Sequence, residues 1–274
     1  MRFAENLRSG RFAVALEITP PQRPLPRVLL RRAGAIGACA DAVNVIQRPA
    51  RQSSLDASIE LLRAGLEPVW HVVTKGASRQ EIARDLALAR QAGIGQLLVI
   101  RGDHAAPDSP DTPSIREVIT MAREALPGAM IGATLNQYAP EGAAALRNLL
   151  PKLRAGAGFV QTQPVFDLAT VAPFVEAVRR ELPDTAFVPM AVPLLSPAAV
   201  EGIQRRLGFR LPGELAGRLA AGPEAAWEMF TATIAALRIS PLAGGAAIMT
   251  TEMDPPPATG ARIAASLRAA GIAC

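Results

Sequence analysis

The sequence predicts an α/β protein, a TIM barrel of the (β/α)8 type in which residues 1–274 form a single domain. Apolar, strand-like runs alternate with helix-like segments along the whole chain, which is the order of βαβ units in a parallel sheet. A length of 274 residues is ordinary for one closed barrel. No Gly-x-Gly-x-x-Gly motif follows the first strand, and this disfavours an open dinucleotide-binding sheet.

The eight predicted strands are short aliphatic runs, which suit a parallel sheet buried on both faces. Aromatic residues make up only 4% of the chain, so Ala, Val, Leu and Ile must form most of the core. The strands are expected at residues 12–18, 42–46, 68–73, 97–103, 130–135, 158–160, 186–192 and 246–250.

Helix-like segments separate the strands, and their ends carry capping residues. Ser53 and Ser78 precede two helices as N-caps, and Ser78 with Glu81 has the spacing of a capping box. Gly93 follows a helix in the position of a left-handed cap. The helices are expected at residues 26–38, 53–64, 78–92, 114–125, 141–155, 168–181, 196–206 and 257–271, with extra helical segments at 211–239 between strands seven and eight.

Charge and composition exclude several classes of function. The net charge is +5, but the arginines are scattered singly, so nucleic-acid binding is not expected. No apolar stretch approaches the roughly 20 residues of a membrane span, and the first residues lack a secretory signal, so we expect a cytoplasmic protein without a membrane partner. Cys39 and Cys274 are too few for a disulfide framework, and two histidines exclude a His-rich metal site. We therefore expect neither redox-thiol nor metal chemistry, and a homo-oligomer is left open.

Polar side chains close most of the predicted strands. In Val99-Ile-Arg-Gly-Asp103 a guanidinium, a hinge glycine and a carboxylate end one strand. Barrel enzymes place their chemistry at the carboxyl ends of the strands, so these groups are expected at one mouth. Carboxylates, a histidine and carboxamides around an apolar well suit proton transfer and recognition of a planar heterocycle. The strand-end residues are Glu17, Asn44, His71, Asp103, Asn136, Gln163 and Glu252.

Glu17 is the strongest candidate for an acid. Its neighbours Leu16 and Ile18, and the prolines that follow, predict partial desolvation and a raised pKa, as a general acid requires. The alternative is an ion pair with an arginine at a neighbouring strand end. Asp103 can bind a ligand N–H or cap the loop 104–113, and His71 is as consistent with a structural as with a catalytic role. The sequence has neither a serine-nucleophile elbow nor a P-loop.

Four segments, taken in order, resemble the methylenetetrahydrofolate reductase family. They are Leu16-Glu-Ile-Thr-Pro-Pro21, Pro68-Val-Trp-His-Val-Val-Thr74, Arg101-Gly-Asp103 and Lys152-Leu-Arg-Ala-Gly-Ala-Gly-Phe-Val-Gln-Thr-Gln-Pro-Val-Phe-Asp167. Each is weak alone, but four in the correct order are specific. The resemblance covers nearly the whole chain and implies the family's catalytic barrel without a regulatory domain.

The resemblance implies reduction of 5,10-methylenetetrahydrofolate to 5-methyltetrahydrofolate in one-carbon metabolism and methionine biosynthesis, with FAD as cofactor and NADH or NADPH as reductant. Glu17 and Asp103 are then the catalytic residues, with Glu17 protonating the folate nitrogen that leaves. Gln163, Asp103 and Phe166 are the implied folate contacts. The implied cofactor contacts are His71, Arg101, Gly102, Asp103, Asn136, Asn148 and Lys152.

The chain departs from the family pattern at some flavin contacts. Ile46 stands where the family places a hydroxyl residue, and Ala139, Ala145 and Pro151 replace polar contacts to the dinucleotide. One alternative is therefore a flavin-independent reductase that passes hydride directly from nicotinamide to folate. Two others are a folate-binding barrel of the methyltransferase type and a non-catalytic paralogue.

Overall fold

Eight parallel strands close into a barrel in chain order, and the last strand pairs with the first. The computed structural model describes residues 1–102, 107 and 110–274. The strands are β1 (Ala13–Ile18), β2 (Ala42–Val45), β3 (Pro68–Val73), β4 (Gln96–Ile100), β5 (Met130–Leu135), β6 (Phe159–Pro164), β7 (Ala186–Ala191) and β8 (Gly245–Ile248). The predicted (β/α)8 barrel is confirmed.

One α-helix precedes the first strand, and the others follow the strands around the outside of the barrel. They are α1 (Arg2–Arg8), α2 (Pro26–Ala33), α3 (Ser54–Arg63), α4 (Arg79–Ala92), α5 (Ile115–Ala125), α6 (Gly142–Arg154), α7 (Ala172–Arg179), α8 (Pro197–Leu207), α9 (Gly213–Ala220), α10 (Pro223–Ile239) and α11 (Pro257–Ala269). The extra helices between β7 and β8 are α9 and α10. Within the described part of the chain, no helix combines the length and apolarity needed to cross a bilayer.

At two of the predicted helices, the difference between prediction and structure is explained by glycine or proline. The predicted helix 26–38 ends at Ala33, because Gly34 caps it and Gly37 adopts a φ of 57° that a helix cannot contain. The predicted segment 211–239 divides into α9 and α10 at Gly222, whose φ is 112°. Pro223 then begins the second helix.

The first helix, α1, has no counterpart among the predicted elements. It lies across the end of the barrel where the strands begin, and Phe3 packs edge-on against Phe159 of β6 with the ring centroids 5.7 Å apart. Arg8 donates a hydrogen bond to the carbonyl of Gly128, just before β5. With only seven residues, α1 is too short to show a helical period in the sequence.

The interior of the barrel is a packed core with small residues on one side and large ones on the other. Ala13 and Ala15 of β1 face this interior, and Phe159 fills the opposite side. Gly132 makes room for Phe159, because a Cβ there would lie 2.3 Å from a ring atom. This packing fills the amino-terminal half of the barrel interior and leaves open space at the carboxyl ends of the strands.

The two cysteines form a disulfide that joins the turn at residues 37–39 to the last residue of the chain. Cys39 and Cys274 are 235 residues apart in sequence. This bond cannot be predicted from the sequence, because two cysteines without a characteristic spacing carry no pairing signal. Helix α11 brings the chain end back to the turn, and only the closed barrel reveals that proximity.

Candidate active site

Two adjoining cavities open at the carboxyl ends of the strands. The larger has a volume of about 830 Å³ and the smaller about 260 Å³. The larger is lined by residues from most of the strand ends, whereas the smaller lies between the ends of β1 and β8 and helices α2 and α8. The residues shared by both walls are Glu17, Ile46, Arg48, Arg206 and Met249. The two cavities therefore meet around Glu17.

Glu17 points into the barrel because it alternates with outward-facing residues of β1. Leu16 and Ile18 pack under the helices, while Glu17 reaches the cavities. Burial raises the pKa of the Glu17 carboxyl above its ordinary value. The guanidinium groups of Arg206 and Arg48, and then a hydrogen bond from a carboxamide, act in the opposite direction. The carboxyl is thus in an environment that suits a proton donor.

Two buried carboxamides connect Glu17 to the interior of the barrel. The Nδ2 of Asn44 on β2 donates to Oε1 of Gln161 on β6 over 2.8 Å. The Nε2 of Gln161 lies 3.5 Å from Oε2 of Glu17 and donates to it. In the sequence Gln161 stands two residues before Gln163 at the end of a strand, but nothing in a linear sequence shows that β2 and β6 meet across the barrel.

His71 lies in the wall of the larger cavity as a neutral imidazole. Desolvation by burial lowers its pKa from 6.5 to about 3. Its Nε2 atom is buried and has no hydrogen-bond partner among residues 1–102, 107 and 110–274. An unpaired buried nitrogen is costly in a native fold unless a ligand or a water meets it. His71 is therefore a candidate ligand contact rather than an acid–base group.

The segment after β4 contributes Arg101 and Gly102 to the larger cavity. Gly102 has a φ of 89°, and a Cβ on it would lie 2.5 Å from Cγ1 of Val73. Both the backbone conformation and the close approach of β3 thus require glycine. Asp103, the carboxylate expected beside them, lies outside the described residues.

The ends of β5 and β6 form the far wall of the larger cavity with Asn136 and Gln163. Gln137 fixes this wall, because its Nε2 donates to the carbonyl of Gln163 at 3.0 Å while its Oε1 accepts from the Gln163 N–H at 3.1 Å. The Gln163 side chain is left to face the cavity. Gln137 was not identified from the sequence, since its role depends on this contact between strands.

Three residues suggested by the family resemblance do not line the larger cavity. Asn148 is exposed on α6, and Lys152 of the same helix is partly buried, which lowers its pKa. Phe166 lines a third cavity of about 210 Å³ beside α9 and α10. Its ring lies 6.0 Å from that of Phe209. The structure instead brings together, at the larger cavity, Glu17, His71, Arg101, Gly102, Asn136 and Gln163.

The smaller cavity is roofed by the loop after β8, which ion pairs hold against α2. Asp254 in this loop accepts hydrogen bonds from Arg31 at 2.8 Å and Arg32 at 3.2 Å. Arg32 is buried and also donates to the carbonyl of Thr19 at 2.7 Å. Glu252, from the same loop, lines the cavity. The arrangement fixes the loop beside the mouth.

The mouth is electrostatically suited to anionic ligands. Arg48 and Arg206 reach the shared wall, and neither makes a salt bridge to a carboxylate of the described residues. Lys75 and Arg101 line the larger cavity as further cations. Clusters of three or more His, Cys, Asp or Glu side chains that could hold a metal ion do not occur in residues 1–102, 107 and 110–274. The site therefore offers cations, carboxamides and the Glu17 carboxyl of raised pKa, with Glu81, Asp85 and Glu252 as further carboxylates in the linings.

Comparisons with known proteins give one family match and solved structures of similar fold. Residues 2–236 match the protein family described as methylenetetrahydrofolate reductase. None of the curated proteins matches the chain. Among solved structures, an uncharacterized protein from Clostridium thermocellum that binds two copies of 5-methyl-5,6,7,8-tetrahydrofolic acid has a TM-score of 0.74 at 11% identity, over 98% of this chain and 99% of that one. A phosphonopyruvate hydrolase has a TM-score of 0.47 at 15% identity, over 77% of this chain and 78% of that one.

Proposed function

Because the chain belongs to the methylenetetrahydrofolate reductase family, we propose that it reduces 5,10-methylenetetrahydrofolate to 5-methyltetrahydrofolate with NADH or NADPH. The observation that carries the proposal is Glu17, a carboxyl of raised pKa where two cavities meet. Opening the methylene bridge requires a proton on the departing folate nitrogen. A carboxyl whose pKa is raised by burial holds its proton to higher pH than an ordinary glutamate and can deliver it.

The larger cavity suits the pterin ring in this proposal. Gln163 and Asn136 present carboxamides, which match the amide-like edge of a pterin with paired donors and acceptors. Asp103 would add a carboxylate to the same recognition. Arg48 and Arg206 carry the positive charge of the shared wall and would attract the anionic folate toward the mouth. A pterin held by Gln163 would place the reacting part of the folate within the cavity that Glu17 lines.

The residues of the larger cavity also fit a flavin. The unpaired Nε2 of neutral His71 can take a hydrogen bond from a ligand, and Gly102 lets a ligand approach the backbone after β4. Arg101 and Lys75 would favour the phosphates. FAD, when bound, supplies the hydride that NADH or NADPH delivers. The protein's part is to orient the two rings and to provide the proton.

A flavin-independent reaction is the alternative mechanism, and the paired cavities favour it. The Ile46 side chain lies in the wall that both cavities share and cannot form a hydrogen bond with a flavin. Direct hydride transfer requires nicotinamide and folate to be bound together, and two cavities that meet around Glu17 can hold two ligands at once. The two mechanisms differ in whether added FAD is needed for turnover.

Folate binding without reduction is a second candidate function. The neighbour of similar fold is described as binding two copies of 5-methyl-5,6,7,8-tetrahydrofolic acid, and the present chain also has two adjoining cavities. A folate-binding barrel of the methyltransferase type, or a paralogue that has lost catalysis, would use the same carboxamides. Neither would need a proton donor, so Glu17 favours the reductase.

An anaerobic assay of the purified protein tests the proposal. Methylenetetrahydrofolate is supplied with NADH or NADPH, with and without FAD, and 5-methyltetrahydrofolate is measured. We expect turnover that falls by about 100- to 10,000-fold in Glu17→Gln, the usual contribution of a general acid. If FAD is required, Glu17→Gln should still oxidise the nicotinamide with an artificial acceptor. Folate binding without turnover in any combination would support the binding-only candidate instead.

A further inference from the structure

Three inward-facing side chains form a hydrogen-bonded row beneath the mouth of the barrel. Asn44 is 1% exposed and Gln161 is 4% exposed, and both lie between the apolar core and Glu17. The row runs from the Asn44 amide nitrogen to Gln161, and from the Gln161 amide nitrogen to the Glu17 carboxyl. Barrel interiors are normally filled by branched aliphatic residues, so two buried carboxamides at this point require a reason.

The direction of these hydrogen bonds is tied to the charge on Glu17. The oxygen of Gln161 is occupied by the Asn44 donor, so the amide nitrogen of Gln161 must face Glu17. This direction fits an ionised carboxylate, which only accepts hydrogen bonds. A protonated carboxyl can donate, and it is best met by an oxygen.

We propose that Asn44 and Gln161 are positioning residues for Glu17, and that their two amide groups reverse direction when Glu17 gains or loses its proton. With Glu17 ionised, Asn44 donates to Gln161 and Gln161 donates to Glu17. With Glu17 protonated, the Glu17 O–H donates to Oε1 of Gln161, and Nε2 of Gln161 donates to Oδ1 of Asn44. A half-turn of each amide plane exchanges its donor and acceptor ends, and the proton stays on Glu17 throughout.

The reversal gives both charge states of Glu17 a hydrogen-bond partner. An acid that releases and regains a proton in each catalytic cycle would otherwise leave one state unpaired in a buried site, which is costly. A fixed donor, such as a backbone N–H, could bond to an oxygen in either state but would leave the O–H of the protonated carboxyl without an acceptor. This inference rests on the proposed role of Glu17 as the acid, but the hydrogen-bond reversal itself needs no bound substrate.

Other charged groups also face Glu17 and must be kept constant in any test. Arg206 of α8 and Arg48 after β2 act on its charge, and neutral His71 lines the same cavity from β3. Arg32 of α2 and Glu252 after β8 line the smaller cavity.

Nuclear magnetic resonance of the ligand-free, full-length protein tests the proposal. The side-chain amide groups of Asn44 and Gln161 and the carboxyl carbon of Glu17 are followed as the pH is changed. We expect the two amide signals to move with the same midpoint as the carboxyl carbon, and to stay still in Glu17→Gln. Amide signals that do not move in the wild type, or that move equally in Glu17→Gln, would overturn the reversal.

A second measurement uses Asn44→Leu, which keeps the size of the side chain but removes its hydrogen bonds. Gln161 is then free to turn its oxygen toward Glu17 and stabilise the protonated carboxyl, so the midpoint of Glu17 should shift to higher pH. Gln96→Leu is the matched control. Gln96 is as buried as Asn44 but lies at the start of β4, away from the mouth of the barrel, so its replacement should not change the midpoint of Glu17. An unchanged midpoint in Asn44→Leu would overturn the positioning role. Neither readout depends on turnover, so failure of the reductase assay remains a separate result.

Discussion

Arg206 on α8 and Glu17 on β1 share the wall between the two cavities, and the guanidinium opposes the effect of burial on the carboxyl. Burial raises the pKa of Glu17, and Arg206 is the largest of the influences that lower it. The only hydrogen bond found for the Arg206 side chain in the described part of the structure is a long one to the sulfur of Met249. The acidity of the proposed proton donor is therefore adjusted by a helix that comes late in the chain.

We expect Arg206→Met to extend activity to higher pH. Without the cation, Glu17 stays protonated up to a higher pH. Activity that needs the protonated form then falls only as the pH rises through this higher pKa. The measurement is the pH profile of kcat for the folate reduction. Arg205→Met is the matched control, since Arg205 lies on the same helix but lines neither cavity. A profile that moves to lower pH would contradict the prediction.

Glu17→Gln should stabilise the fold at neutral and alkaline pH. The folded-state pKa of Glu17 lies above its unfolded value, so the stability it contributes is complete below the unfolded pKa and is lost as pH rises through the folded one. Glutamine removes this loss. The melting temperature of the variant should exceed that of the wild type at about pH 8 and approach it at about pH 4. An equal difference at both pH values would show that ionisation is not the cause.

His71 should make the fold sensitive to acid. Its pKa is about 3 in the folded protein and 6.5 as an ordinary histidine, so its stabilising contribution is present above pH 6.5 and is lost as pH falls toward 3. Over this range the free energy of unfolding should fall by about 1.4 kcal/mol per pH unit from this group. Denaturant unfolding of wild type and His71→Asn at several pH values measures the difference, and parallel pH dependences would refute it.

Gly102→Ala should destabilise the segment that leads to Asp103. An alanine there would be strained by its φ of 89° and would meet Cγ1 of Val73 at 2.5 Å. Together these effects should cost about 1–3 kcal/mol. In the Val73→Ala background the contact is absent but the backbone strain remains. Gly102→Ala should therefore lower the free energy of unfolding in that background by less than it does in the wild type, but still measurably. If Gly102→Ala had no effect there, the contact would account for the whole cost.

The sequence predicts the barrel well because its signals are local. Strand alternation, capping residues such as Ser78 and polar strand ends such as Glu17 and Gln163 can all be read without knowing the fold. Features that depend on distant contacts cannot be read in this way. The Asn44–Gln161 hydrogen bond joins strands across the barrel, and Phe166 points to a cavity formed by helices that follow it by about 50 residues. For this reason the strand-end residues at the mouth were predictable, and their partners were not.

The Cys39–Cys274 disulfide should contribute measurably to stability. The bond closes almost the whole chain into a loop, and loops of this size are expected to stabilise by about 2–5 kcal/mol through the unfolded state. We expect reductant to lower the free energy of unfolding of the wild type by this amount and to leave Cys39→Ser unchanged. Cys274→Ser should match Cys39→Ser, and the double variant should lose no more than either, because all three lack the same bond. If reductant does not change the stability, and two free thiols can be titrated before it is added, the disulfide is not formed. Helix α11 then holds the end of the chain by packing alone.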